Sequence, residues 1–169
     1  SIGDNAELEE DIARPSALNL KEGDEIMVQV VKDVFGNKGV KLSTYPSFAG
    51  RYLVYMPDYD TISVSRKITD EKERERLSDI ISSLKIKGGF ILRTASEKAS
   101  KSDLLSEAKY LVGNYKEVLA KFKSAKPGDI LYSEGNLAVR MLRDVYTSEI
   151  SYIYVQIDYR AVITVGKHV

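Results

Sequence analysis

The 169-residue chain has no cysteine, no tryptophan, four prolines and one histidine, His168, next to its last residue. Without cysteine there are no disulfides, no thiolate zinc sites and no thiol nucleophile. With a lone terminal histidine, a Ser-His-Asp triad or a histidine metal site is not expected. No apolar run approaches the roughly 18 residues that a membrane-spanning helix needs. Net charge of one sign is also missing: 25 basic residues balance 25 acidic ones, so an anion partner has to be met by a local site and not by a global field. The absence of cysteine and of a signal-peptide pattern leads us to expect a cytoplasmic location. What is present is a chain of 43% hydrophobic and 30% charged residues, enough to bury a core of one large or two small domains.

Residues 1–20 are polar and acidic around Pro15 and read as a loop or frayed end. EIMVQVVKD at 25–33 and VKLST at 40–44 alternate apolar and polar positions, with Ile26, Val28, Val30, Val40 and Leu42 expected inward. FGNKG joins them, so a hairpin is predicted, with Gly36 and Gly39 supplying positive φ. GRYLVYMP at 50–57 and ISVSRKI at 62–68 are two further strands around the turn DYDT.

Thr69 is placed to cap a helix whose stripe is Leu77, Ile80, Ile81 and Leu84, with EKERER as its solvated face and Gly88-Gly89 as its stop. FILRT follows as a short strand. A second helix over about 102–125 carries Leu104, Ala108, Leu111, Val112, Tyr115, Val118, Leu119 and Phe122, and Pro127-Gly128 ends it. NLAVRMLRDVY at 136–146 reads as a third helix and SYIYVQID at 151–158 as a final strand. This order predicts an α+β fold and not a regular βαβ series.

Acidic candidates for a metal site are few. Asp58 and Asp60 flank Tyr59 in a turn where aspartate is expected for turn chemistry alone. Glu9-Glu10-Asp11 belongs to an acidic run, and Asp158 ends the last predicted strand with no second acid nearby. The basic positions say more. Lys38 stands at the hairpin tip, and Arg66 and Lys67 follow Ser65 at a strand end. Arg93 and Thr94 close FILRT, pairing a guanidinium fork and a hydroxyl with two backbone N–H groups, a donor set suited to a terminal phosphate. Each is equally readable as an ordinary turn lysine, strand-end cation or ion-paired arginine.

Taken in order, GNKGVKLST, GRYLVYMP, ISVSRKI with DEKERERL, GGFILRTAS and LAVRMLRD resemble the amino-terminal part of the ribonuclease E/G family. The resemblance spans about residues 20–150 and implies single-strand-specific RNA processing. In the family an OB-fold RNA-binding domain and a 5′-sensor domain accompany an RNase H-like fold, and a DNase I-like domain holds Mg²⁺. It implies an α+β chain made of a partial OB-fold hairpin (1–44), a 5′-sensor-like domain (45–135) and the start of an RNase H-like region (136–169).

By that resemblance Arg93 grips a 5′-monophosphate, Thr94 is its hydroxyl partner, Gly50 and Val54 line the pocket, and Lys38 touches single-stranded RNA. The expected partner is single-stranded RNA with a 5′-monophosphate, and the full-length enzyme is a possible homo-oligomer. Mg²⁺ and Zn²⁺ are implied for the full-length enzyme and no cofactor for this chain, which is expected to lack the catalytic domain and not to cut RNA alone. The segment after about residue 151 fits the family only loosely. Two other readings stand beside this one: a non-catalytic RNA-binding protein of the same architecture, and a structural α+β domain in which Arg93 is merely ion-paired.

Overall fold

The computed structural model describes residues 19–32, 37–135, 137–145, 150–156 and 162–166. Gly36, Glu9-Glu10-Asp11, Pro15, Asp158 and His168 lie outside the described residues. The fold is α+β, and the chain divides into two units, Ser1–Leu131 and Tyr132–Val169.

In the first unit β1 (Gln29–Lys32) pairs antiparallel with β2 (Lys41–Ser43), as a hairpin requires. Its apolar residues are not inward: Val28, Val30, Val40 and Leu42 are all exposed, Val30 by 59%. Period-two alternation says which residues share a face, but only a facing layer buries that face, and a two-stranded ribbon supplies none. Gly39 does not take the positive φ expected of it. The ribbon is tied to the chain that follows through Gln29, whose side-chain amide donates to the Ser47 carbonyl (2.9 Å) and accepts from the Ser47 N–H (2.8 Å).

The main sheet has the order β3-β4-β6-β5, with β3 Phe48–Ala49, β4 Leu53–Met56, β5 Ile62–Val64 and β6 Gly89–Leu92. β4 runs antiparallel to β3 and β6, while β5 and β6 are parallel. The parallel pair requires a crossover, and helix α1 (Glu71–Ser82) provides it. One βαβ unit therefore sits inside a chain whose element order did not announce it.

Leu77, Ile80 and Ile81 of α1 are buried as the stripe predicts. The cap is Asp70 and not Thr69: its carboxylate accepts from the Lys72 N–H at 3.0 Å. The helix also ends earlier than the glycines, at Ser82. The Ser82 and Ser83 hydroxyls donate to the Ser78 and Ile80 carbonyls there, and Lys85 turns the chain at φ 49°. Gly88 (φ 114°) then serves the entry to β6, where a Cβ would meet the Tyr55 ring at 2.6 Å.

Helix α2 (Lys101–Phe122) is capped by Ser100, which accepts from the Asp103 N–H, and it stops before Pro127 is reached. Leu104, Ala108, Leu111 and Val118 of α2 join Leu77, Ile80 and Ile81 of α1 against Phe48, Leu53, Tyr55, Phe90 and Leu92 of the sheet. A smaller cluster of Val54, Met56 and Ile91 occupies the alternate positions of β4 and β6.

The second unit contains α3 (Leu137–Val145) and an antiparallel pair, β7 (Tyr152–Gln156) with β8 (Val162–Gly166), in register from Tyr152↔Gly166 to Gln156↔Val162. The second strand of that pair is an addition to the single final strand read from the sequence.

Candidate functional site

The sheet topology gathers three loops at one end. The parallel strands β5 and β6 both finish there, at Val64 and Leu92, which are partners in register. Antiparallel β4 begins there, since Leu53 is also a partner of Leu92. The segments 50–52, 65–68 and 93–97 therefore emerge together, at the carboxyl edge of parallel strands where ligands are commonly held. Backbone bonds lock them: the Ser65 N–H donates to the Leu92 carbonyl at 2.8 Å and the Arg93 N–H to the Tyr52 carbonyl at 2.7 Å.

Arg93 and Thr94 stand at this end, both half-buried. Nη1 of Arg93 donates to the Gly50 carbonyl at 2.6 Å and to the Arg51 carbonyl at 3.3 Å. These two backbone acceptors orient the guanidinium. The Thr94 hydroxyl lies 3.0 Å from the Ser65 hydroxyl, a pair in which either can donate. The sequence reading is corrected on one point, because the Arg93 N–H is spent on Tyr52 and is not available to a ligand. Arg66 and Lys67 follow Ser65 and are exposed on the adjoining bend.

Gly50 is brought to the site, but for a reason the sequence does not show. A Cβ there would lie 2.5 Å from Cδ of Glu107, so the space belongs to a carboxylate from α2. Val54, one step further into β4, is 1% exposed and packs with Met56 and Ile91 on the opposite face of the strand from Leu53. Lys38 is exposed, close in sequence to β2.

Three side-chain clamps hold the loops, and none was legible beforehand. Arg74 donates through Nη1 to the Ser65 (2.7 Å) and Ile68 (3.0 Å) carbonyls and through Nη2 to that of Val64 (3.3 Å), fixing the bend that carries Arg66 and Lys67. Glu73 accepts from Nε and Nη2 of Arg76, both at 2.7 Å, and from the Lys98 N–H at 2.7 Å, while Arg76 Nη2 also donates to the Ala99 carbonyl. This network secures the segment after Thr94, including Lys98 at φ 61°. Half of the supposedly solvated EKERER face is thus engaged. Glu107 accepts the N–H groups of Arg51 (2.7 Å), Tyr52 (2.7 Å) and Leu53 (2.8 Å).

The hydrogen bonds from Arg76 first, and then from the Lys98 N–H, hold the Glu73 carboxyl down at about 2, against 4.5 ordinarily. A carboxyl lowered by folding stabilises the native state above its ordinary value, and that contribution disappears as pH falls through the lowered one. Wild type is therefore expected to be more stable than Glu73→Gln at neutral pH, the gap in Tm narrowing as pH falls from about 4.5 towards 2. Thermal melts across that window check this, and a gap independent of pH would contradict the network.

Asp58 and Asp60 are exposed in the turn after β4, and burial is the main cause raising the Asp58 carboxyl from its ordinary value, against a lowering by Lys87. Among the described residues no group of three histidine, aspartate or glutamate side chains could hold a metal ion. The chain has no cysteine to supply a thiolate ligand. No described helix is long and apolar enough to cross a membrane.

The model of the Ribonuclease E/G family matches residues 47–165. The chain belongs to the Ribonuclease E/G family. The matched span takes in the whole main sheet, α1, α2 and all three strand-end loops. The chain is 40% identical over 137 residues to ribonuclease G of Escherichia coli (strain K12), covering 80% of this chain and 28% of that protein. Ribonuclease G of Haemophilus influenzae is 38% identical over 126 residues, 74% of this chain and 26% of its own. Ribonuclease E of Buchnera aphidicola subsp. Schizaphis graminum is 34% identical over 139 residues, 80% of this chain and 14% of its own. The chain thus spans less than a third of these relatives.

Proposed function

We propose that the chain is the RNA-binding, 5′-end-sensing portion of a ribonuclease E/G-type endoribonuclease acting in RNA processing and decay. In this reading it holds single-stranded RNA by a 5′-monophosphate while another part of the whole protein cuts the strand. Membership of the family supports the link to RNA. The observation that carries the end-sensing role is the Arg93 guanidinium, held by the Gly50 and Arg51 carbonyls beside the Ser65–Thr94 hydroxyl pair.

A 5′-monophosphate is doubly charged and offers three strong acceptor oxygens. A guanidinium presents several N–H donors in a fixed fork that matches phosphate oxygens, and a hydroxyl adds a donor that turns to suit. Arg66 and Lys67 add positive charge on the neighbouring bend, where the next phosphates of the strand would pass. Lys38 on the ribbon would add a further backbone contact. The paired β1-β2 ribbon stands as the end of an OB-fold and residues 45–135 as the sensor, with the RNase H-like region following.

The test is binding of a short single-stranded RNA carrying a 5′-monophosphate against the same RNA with a 5′-hydroxyl, followed by fluorescence anisotropy. The phosphorylated end is expected to bind at least about tenfold more tightly, the worth of charge-assisted hydrogen bonds. The affinity is expected to drop steeply with added salt. Equal affinity for the two ends would remove the sensor role.

A further inference from the structure

We infer that Glu107 is a positioning residue of the strand-end site: by gathering the amide hydrogens of Arg51, Tyr52 and Leu53, it sets the carbonyls that aim the Arg93 guanidinium at an RNA 5′-phosphate. The inference rests on the reading of that site given above.

The contacts form an unbroken chain. Glu107 projects from α2, flanked along the helix by Leu104, Ala108 and Leu111, which are 0 to 1% exposed, so its backbone is anchored in the core. Its two carboxylate oxygens accept three successive backbone N–H groups, Oε1 from Arg51 and Oε2 from Tyr52 and Leu53. Such a nest of converging amides fixes the peptide planes of the segment. Those planes carry the Gly50 and Arg51 carbonyls, the acceptors of Arg93 Nη1. The same segment holds Arg93 a second time, through the Tyr52 carbonyl and the Arg93 N–H. Gly50 has no side chain because the carboxylate needs that volume, as the 2.5 Å approach of a hypothetical Cβ shows.

A carboxylate is an expensive choice for a purely structural clamp. Burial, its largest influence, pushes the Glu107 carboxyl up, against the three backbone N–H groups and the positive charge of Arg93, which hold it down. The last influence places the two charges in each other's field. The clamp is thereby coupled electrostatically, as well as through the backbone, to the group proposed to read the phosphate.

Glutamine at this position keeps the size of the side chain but offers one acceptor oxygen where two are used. If that oxygen stays with Tyr52 and Leu53, the Arg51 N–H faces an amide NH₂ and its peptide is released. The experiment measures affinities of the full chain for 5′-monophosphate and 5′-hydroxyl RNA, with Tm and ¹⁵N–¹H amide spectra, for wild type, Glu107→Gln, Gly50→Ala and Arg93→Ala. Glu107→Gln is expected to cut the preference for phosphate by about tenfold, the effect of leaving a buried donor unsatisfied, while 5′-hydroxyl binding is unchanged and the amide signals of Arg51, Tyr52 and Leu53 move.

Gly50→Ala, which pushes the carboxylate from the opposite side, is expected to do the same and decides the matter if Glu107→Gln fails to fold. A merely structural clamp would lower Tm and leave the preference intact. If Arg93→Ala abolishes the preference while a folded Glu107→Gln or Gly50→Ala retains it in full, the positioning role is overturned and the sensor reading stands. If wild type shows no preference at all, the sensor reading falls and this role falls with it.

Discussion

Arg93→Ala is expected to erase the preference of this chain for 5′-monophosphorylated RNA over the 5′-hydroxyl form, a loss of roughly 10- to 100-fold in affinity for the phosphorylated end. The magnitude follows from the chemistry. Hydrogen bonds to a charged group are worth about 1.5–3 kcal/mol each, and alanine removes every side-chain donor at this position. The substitution also strips the Gly50 and Arg51 carbonyls of a donor, so a modest fall in Tm should accompany it.

Arg93→Lys separates charge from geometry. An ammonium keeps the positive charge and can reach one carbonyl or one phosphate oxygen, but it cannot reproduce the planar, multi-donor fork of a guanidinium. It is expected to fall between wild type and alanine. Anisotropy titrations with the two RNAs, with melts of each variant as a control, measure all three. A lysine variant that discriminates as well as wild type would exclude the fork as the reading element, and an alanine variant that still discriminates would exclude Arg93 altogether.

The largest effect on stability is expected at Phe90. Its side chain is 2% exposed, its ring lies 5.0 Å from that of Tyr55 at 37°, and its strand is bonded on both sides, to β4 and β5. Phe90→Ala removes a buried aromatic at a place where rigid strands cannot close over the gap. Such changes cost about 3–5 kcal/mol, against a total of about 5–15 kcal/mol for a typical native protein. Chemical denaturation is expected to show a large fall in the midpoint with little change in slope. A loss below about 1 kcal/mol would mean that the ring is not part of a close-packed core. Because Arg93 directly follows β6, this variant should also weaken RNA binding near its own melting range, while leaving the discrimination ratio intact where it remains folded.

Arg93 and Thr94 were legible as a donor pair at a strand end, and the ordered segments around them marked the family that the comparison establishes. The apolar stripes of both long helices were equally plain, because a 3.6-residue period survives any packing arrangement. Burial of the first hairpin was not legible. Alternation in Val28, Val30, Val40 and Leu42 is the same whether or not a layer covers the face, and here the face is exposed.

Glu107 was missed for a different reason. It falls three residues after Leu104 and four before Leu111, inside the apolar stripe, and a carboxylate in such a stripe is the signal that could have flagged it. What it binds, though, is backbone more than fifty residues away, and backbone amides leave no mark in a sequence. Glu73, Arg74 and Arg76 looked like solvated charge because helical spacing fixes their face but not what other loop returns to it.

The sequence by itself thus determined the α+β class, the helical stripes, the strand that ends on Arg93-Thr94 and the family to which these belong. All of these rest on local periodicity or on ordered motifs, which are properties of residues near one another in the chain. Only the tertiary structure decided that β5 and β6 run parallel, so that Ser65 and Thr94 meet, and that Gly50 is small for the sake of Glu107. Those facts depend on which distant segments share one end of a sheet, and that is settled by the packing of the whole core.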